Sequence, residues 1–136
     1  MTAVLVVEDD AGVRKLLVDT LAVEGCRVAE ASSAEDAIAL LDEGGIDVAL
    51  LDLRLPLPTG WRVLDACVLR PDWPPVVVVT ARADASALPA LAMGAVDVLA
   101  KPFDPFAVVD LVTTLATSTP AALAEHRAAA RSRCAA

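Results

Sequence analysis

Two habits of apolar patterning alternate along this chain: short, nearly unbroken apolar runs, and longer stretches in which apolar residues return every three or four positions. Val48-Ala49-Leu50-Leu51 stops at one carboxylate, Asp52, and a turn-rich segment, Leu55-Pro56-Leu57-Pro58-Thr59-Gly60, follows soon after. A run bounded in this way predicts a strand buried on both faces, as in the middle of a parallel sheet. Further strands are predicted at Ala3–Val7, Arg27–Ala31, Val76–Val79 and Asp97–Ala100. Between them lie the helical spacings. Val13, Leu16, Leu17 and Leu21 mark a helix that runs to Glu24, with Asp10 as N-cap candidate and Gly25 as its end. A second helix opens on Ser32 with Glu35 or on Ser33 with Asp36, carries Ile38, Leu40 and Leu41, and stops at Gly44-Gly45. A third follows Gly60, with Val63, Leu64, Cys67 and Val68 as its buried stripe. The fourth starts at Asp84 or Ser86 and runs towards Met93. Pro89 fits there only in a first turn, so a short or late-starting helix is expected. Asp104-Pro105 supplies an N-cap and a first helical residue for the fifth, along which Phe106, Val109, Val112 and Leu115 recur. Val108, Leu111 and Leu115 default to core, with a partner face as the secondary reading.

Five strands alternating with five helices over short connections predict a doubly wound, parallel α/β domain. Residues 1–119 hold this pattern. Residues 120–136 read as an Ala- and Arg-rich tail or truncated linker, with Leu123 almost alone as a large apolar side chain, so fraying is expected there. His126, a lone histidine in that tail, is a poor candidate for metal binding or catalysis. The 136 residues are 57% hydrophobic but only 3% aromatic, which implies a core of Val, Leu and Ala. Trp61 and Trp73 read as packing and loop anchors, Trp61 standing close enough to Gly60 to sense a site nearby.

The formal charge of −8 sharpens the picture, because 18 of the 19 acids but 8 of the 11 bases fall within residues 1–117. An acidic body lacks the Lys and Arg that neutralise phosphates, which argues against direct nucleic-acid binding. Cys26, Cys67 and Cys134 are odd in number, far apart and in no C-x-x-C, as in a reduced intracellular chain. No stretch approaches the ~20 apolar residues of a membrane span, and the first residues lack the basic and cleavage regions of a signal peptide. A soluble, cytoplasmic protein is expected.

The chemistry lies at the strand ends. Glu8-Asp9-Asp10, Asp52, Thr80 and Lys101 each terminate a predicted strand, and parallel strands bring such termini to one edge, where ligands collect in open α/β sheets. Carboxylates gathered there repel one another unless a hard cation relieves them, and Mg²⁺ suits one or two carboxylates completed by water and phosphate oxygens. Lys101 adds a compact positive charge and Thr80 a hydroxyl. Together these groups meet the needs of phosphoryl transfer, with Asp52 as the nucleophile.

At this point the chain resembles a receiver domain of the two-component response-regulator family. The resemblance spans residues 1 to about 117. It rests on Val-Leu-Val-Val-Glu8-Asp9-Asp10, on Leu-Leu-Asp52-Leu with Pro56 and Gly60 after it, on Val-Val-Thr80-Ala81, and on Gly94-Ala95-x-Asp97-x-x-x-Lys101-Pro102-Phe103. It implies a flavodoxin-like, CheY-like sheet of order 2-1-3-4-5. It also implies that Asp52 takes a phosphoryl group from a histidine kinase or histidine phosphotransfer protein, and that Glu8, Asp9, Asp52 and the backbone carbonyl of Arg54 hold Mg²⁺. Asp10 falls at a position peripheral to the metal. Thr80 and Lys101 would contact the phosphoryl group, Ala81 would leave it room, and the Lys101-Pro102 peptide would be cis.

Output to a downstream protein or effector domain would pass through the face of the fourth helix, fifth strand and fifth helix, with a homodimer through that face as an alternative. Such a domain turns over only its own phosphoryl group and is not otherwise an enzyme. Three positions depart from the family's habit or vary within it. Val98 replaces an aromatic or histidine ring that swings inward as Thr80 moves, so coupling would fall to Thr80 and the loops. Arg54 and Arg82, two residues beyond Asp52 and Thr80, are placed to shield an acyl phosphate from water. Two rival readings stand beside the switch. One is an interaction module of the same fold that works without phosphorylation. The other, an aspartate phosphohydrolase, lacks its second acid, because Arg54 stands two residues after Asp52.

Overall fold

Strand β3 (Val48–Asp52) lies at the centre of a five-stranded parallel sheet. The structure, a computed structural model, describes residues 1–135. The other strands are β1 (Ala3–Val7), β2 (Arg27–Ala31), β4 (Val76–Thr80) and β5 (Asp97–Ala100), in the order β2-β1-β3-β4-β5. Every side chain of β1, β3 and β4 is buried, as expected of strands covered on both faces. The helices are α1 (Ala11–Val23), α2 (Ala34–Glu43), α3 (Trp61–Val68), α4 (Ala83–Ala92), α5 (Pro105–Ala116) and α6 (Pro120–Ala135). Two apolar clusters flank the sheet. One joins Leu5, Val7, Leu51 and Val78 to the buried residues of α2, α3 and α4, and the other joins Val4, Val6, Leu50 and Val77 to those of α1 and α5.

Local chemistry sets the helix starts. Asp10 accepts the Val13 amide at 3.0 Å, and Asp104 accepts the Phe106 amide at 2.9 Å ahead of Pro105. Of the two serine alternatives for α2, Ser33 is the cap, accepting from the Asp36 amide at 3.2 Å. Trp73 anchors its loop by donating its indole N–H to Asp42 at 3.0 Å, with the Arg70 guanidinium over the ring. Val108 and Leu115 are core residues.

Three expectations need correction. α4 is neither late nor short: it starts at Ala83, without a side-chain cap from Asp84 or Ser86, and carries Pro89 in its interior. Pro89 leaves the Ala85 carbonyl without its helical donor, and the helix is held instead by burial of Ala87, Ala90 and Leu91. In α3 the buried stripe is Val63, Leu64 and Ala66, while Val68 is exposed, because the helix ends there and turns the side chain outward.

The third correction is α6, where fraying was expected. This sixth helix packs against α4 and β5. Its contact is small and polar rather than broadly apolar: Ala130 is fully buried, Arg127 donates two hydrogen bonds to the Leu91 carbonyl, and His126 and Arg133 both reach the buried Asp97 carboxylate. His126 is therefore a latch residue between the tail and the sheet. Among the described residues, no helix is long and apolar enough to cross a membrane.

Candidate functional site

Strand register assembles the site. Asp52 lies beside Val79 and Thr80 beside Ala100, and the Lys101 amide extends the ladder by donating to the Thr80 carbonyl at 2.9 Å. β1 ends one residue before Glu8, whose amide donates to the Ala31 carbonyl of β2 at 3.0 Å. The carboxyl edge therefore gathers Glu8, Asp9, Asp52, Thr80 and Lys101, as the strand pattern predicted. Glu8, Asp9 and Asp52 each offer a carboxylate oxygen within 4.8 Å of the others. Lys101 Nζ stands 2.8 Å from Glu8 Oε1 and 3.3 Å from Asp52 Oδ2. An open cleft of about 500 Å³ is lined by these groups with Asp10, Arg54 and Ala81.

Charge in this cluster is strained in a specific direction. Burial, reinforced by the neighbouring Asp52, pushes the Glu8 carboxyl up to about 8. Burial also works against ionisation of Asp52, but its contact with Glu8, the Arg54 N–H and Lys101 together hold it below the ordinary aspartate value. Lys101 is desolvated as well, yet Glu8 and Asp52 outweigh this and raise it, so the ammonium persists. Glu8 Oε2 is the one buried side-chain polar atom among the described residues that lacks a partner. A buried, unpaired carboxylate oxygen beside two further carboxylates is what a hard, oxygen-seeking cation satisfies, so the donor set fits Mg²⁺.

The predicted residues divide by position. Asp10 is spent on capping α1, which leaves it beside the cluster rather than in it. Asp52 Oδ1 accepts the Arg54 amide at 3.0 Å, so the chain after Asp52 is tied to its side chain. Thr80 is buried, and its hydroxyl oxygen accepts the Arg82 amide at 3.1 Å rather than touching the carboxylates. Arg54 and Arg82 are exposed and line an adjoining cavity of about 490 Å³ with Asp9, Thr80 and Trp61. Val98 is buried, in the same cluster as Ala87, Leu91 and Ala130. The Lys101-Pro102 peptide is cis, and so is Leu57-Pro58, which the sequence had not singled out.

Two contributors escaped the reading of strand ends. A Cβ on Gly60 would lie 2.4 Å from the Asp52 carbonyl oxygen and 2.6 Å from the Leu53 Cα, so only glycine lets the loop return this close to the backbone of Asp52 and Leu53. Its N–H donates to the Leu53 carbonyl. Arg14, one turn into α1, donates to the Glu8 carbonyl at 2.8 Å and pairs with Glu30 at 3.2 Å. The only sequence signal for it was a base four residues after Asp10.

Known proteins share this arrangement. Residues 4–113 match the model of the response regulator receiver domain. The alginate biosynthesis transcriptional regulatory protein AlgB of Pseudomonas aeruginosa is 40% identical over 103 residues, which are 75% of this chain and 23% of AlgB. The non-phosphorylated HemR receiver domain of Leptospira biflexa superposes with a TM-score of 0.79 at 29% identity, covering 88% of this chain and 97% of that one. A Francisella response regulator receiver domain reaches a TM-score of 0.80 at 23% identity, over 85% and 97% of the two chains, which bears on the fold alone. The chain spans less than half the length of the curated relatives it matches. The match across nearly all of the sheet and its acidic edge places this chain in the family of response regulator receiver domains of two-component signal transduction.

Proposed function

We propose that Asp52 is the phosphoacceptor and that Glu8, Asp9 and Asp52, with the Arg54 carbonyl, hold Mg²⁺ during transfer. The observation that carries this reading is the meeting of three carboxylates, one left with an orphaned buried oxygen, and one ammonium at a single open cleft. In the transfer, an Asp52 carboxylate oxygen attacks phosphorus, the bond from phosphorus to the donor atom breaks, and the donor leaves with that bond's electron pair. Mg²⁺, when bound, neutralises charge on the equatorial phosphoryl oxygens. Lys101 supplies a further positive charge beside Asp52 and Glu8, and Ala81 leaves the entry uncrowded. Thr80 meets the phosphoryl group by donating its hydroxyl hydrogen, and because its oxygen accepts the Arg82 amide, its movement links the modified Asp52 to the start of α4. With Val98 in place of a ring, that movement is the route to the outside.

The donor class is a histidine kinase or histidine phosphotransfer protein, and the recipient of the signal is a downstream protein or effector domain. Outside its own phosphorylation and dephosphorylation the domain has no turnover. Cytoplasmic placement is supported by three free cysteines. The exposed Arg54 and Arg82 beside the cleft shield the acyl phosphate from water, and a faster loss of phosphoryl group in Arg82→Ala than in the wild type checks that role. The reading as a whole is tested by intact mass after incubation with acetyl phosphate. A gain of one phosphoryl group that needs Mg²⁺ and disappears in Asp52→Asn is expected. No gain from a folded, Mg²⁺-binding protein would favour the phosphorylation-independent interaction module.

A further inference from the structure

The turn from β1 to α1 carries two of the three clustered carboxylates, and its backbone is held by a closed circuit of bonds. The Glu8 amide donates to the Ala31 carbonyl of β2. On the other side of the same residue, the Glu8 carbonyl accepts from Arg14 Nη1 at 2.8 Å, and the Asp9 carbonyl lies 3.4 Å from that nitrogen. Arg14 Nε is anchored in turn by Glu30 Oε1 at 3.2 Å, and Glu30 precedes Ala31 in β2. The circuit thus leaves β2, passes through Arg14 to the carbonyls of Glu8 and Asp9, and returns to β2 through the Glu8 amide. A planar guanidinium can serve carboxylate and carbonyl at once, which an ammonium on a flexible stem does poorly.

We propose that Arg14, oriented by Glu30, is a positioning residue for the divalent-cation site. It fixes the backbone from which the Glu8 and Asp9 carboxylates project, so that they stand ready before the cation arrives. The proposal rests on the reading of that cluster as the Mg²⁺ site. Arg14 touches backbone carbonyls and Glu30, not the clustered carboxylates, so it acts through other residues. The sign of the effect separates this role from simple charge. Removing a cation near a bound cation tightens binding by Coulomb's law, whereas loss of an orienting partner weakens it.

The test compares Arg14→Ala, Arg14→Lys, Glu30→Gln and Lys15→Ala in the whole chain, with Mg²⁺ affinity measured by calorimetry. Lys15 is the control, since it removes the same charge one residue away but pairs only with the exposed Asp19. Arg14→Ala is expected to weaken Mg²⁺ by about tenfold, the usual scale for partners that orient metal ligands. Glu30→Gln and Arg14→Lys should lose less, and Lys15→Ala should not weaken binding at all. In Mg²⁺-free protein, Arg14→Ala should also speed hydrogen exchange at the Glu8 amide while exchange in β3 stays unchanged. Unchanged or tighter Mg²⁺ binding in Arg14→Ala, or equal weakening in Lys15→Ala, overturns the assignment. If Arg14→Ala folds poorly, Glu30→Gln decides by hydrogen exchange, because loss of its charge alone would weaken Mg²⁺ without loosening the turn: unaltered exchange at the Glu8 amide there counts against the proposal. A wild-type chain that takes up no Mg²⁺ would instead strike down the functional reading on which the proposal stands.

Discussion

Single residues decide what this site can do, and two of them can be tested without any donor or partner. A methyl group on Gly60 has no room against the Asp52 carbonyl oxygen. Gly60→Ala is therefore expected to lower stability by about 1–3 kcal/mol, the ordinary cost of overpacking, as read from urea unfolding. Glu8 makes a prediction in pH. Its carboxyl is held at about 8 in the fold against an ordinary 4.5, so between those values the folded chain binds more protons than the unfolded one. Stability then falls as pH rises through that window. Asp52 is shifted the other way, and its stabilising share is lost only as pH falls below the ordinary aspartate range. The Mg²⁺-free protein should accordingly melt at a lower temperature at pH 8 than at pH 5.5, and saturating Mg²⁺ should flatten the slope by favouring ionised Glu8. A Mg²⁺-free melting temperature that rises over this interval would contradict the account of Glu8. Every carboxylate and the lysine of the cluster were legible in the sequence, because each ends an apolar run. Gly60 and Arg14 were visible as residues but not in their roles, which depend on a close backbone approach and on bonds to carbonyls that leave no mark in spacing.

At the scale of elements, β1, β3 and β4 follow directly from their apolar runs, since burial on both faces leaves little freedom in composition, whereas the edge strand β2 keeps Arg27 and Glu30 and is legible only by its place between two helices. The helices show where that logic ends. Pro89 argued for a first-turn position, yet tertiary burial of Ala87, Ala90 and Leu91 outweighs the local penalty. α6 was hidden for the opposite reason. Its docking uses one alanine, one backbone carbonyl and a carboxylate latch instead of an apolar stripe. With its partners present, the Asp97 carboxylate is buried and satisfied. Replacing both His126 and Arg133 by Ala, with α6 retained, should cost about 1–3 kcal/mol for the polar group left short of partners. Removal of residues 119–136 returns Asp97 to water, so the remaining domain should still unfold cooperatively, with faster amide exchange confined to β5 and α4. Loss of all cooperative folding in that truncated chain would show that α6 is a structural part of the domain.

For the whole molecule, an acidic sheet edge and an added helix on the α4 and β5 flank divide the work. One end carries the cluster proposed to accept the phosphoryl group, and the flank where output is expected is already occupied in part by the chain's own α6. Val98 lies in the buried cluster that Ala130 of α6 also joins, so the position that usually holds a mobile ring is here part of a packed layer. The proposed function turns on a covalent event at one carboxylate, Asp52. The most direct test is to phosphorylate the protein with acetyl phosphate and Mg²⁺, reduce the acyl phosphate with borohydride, and map the peptides by mass. Homoserine at position 52 alone, absent without Mg²⁺ and strongly diminished in Lys101→Ala, is the predicted result. Homoserine at another acid, or none in a protein shown to be folded and to bind Mg²⁺, would contradict the assignment of Asp52.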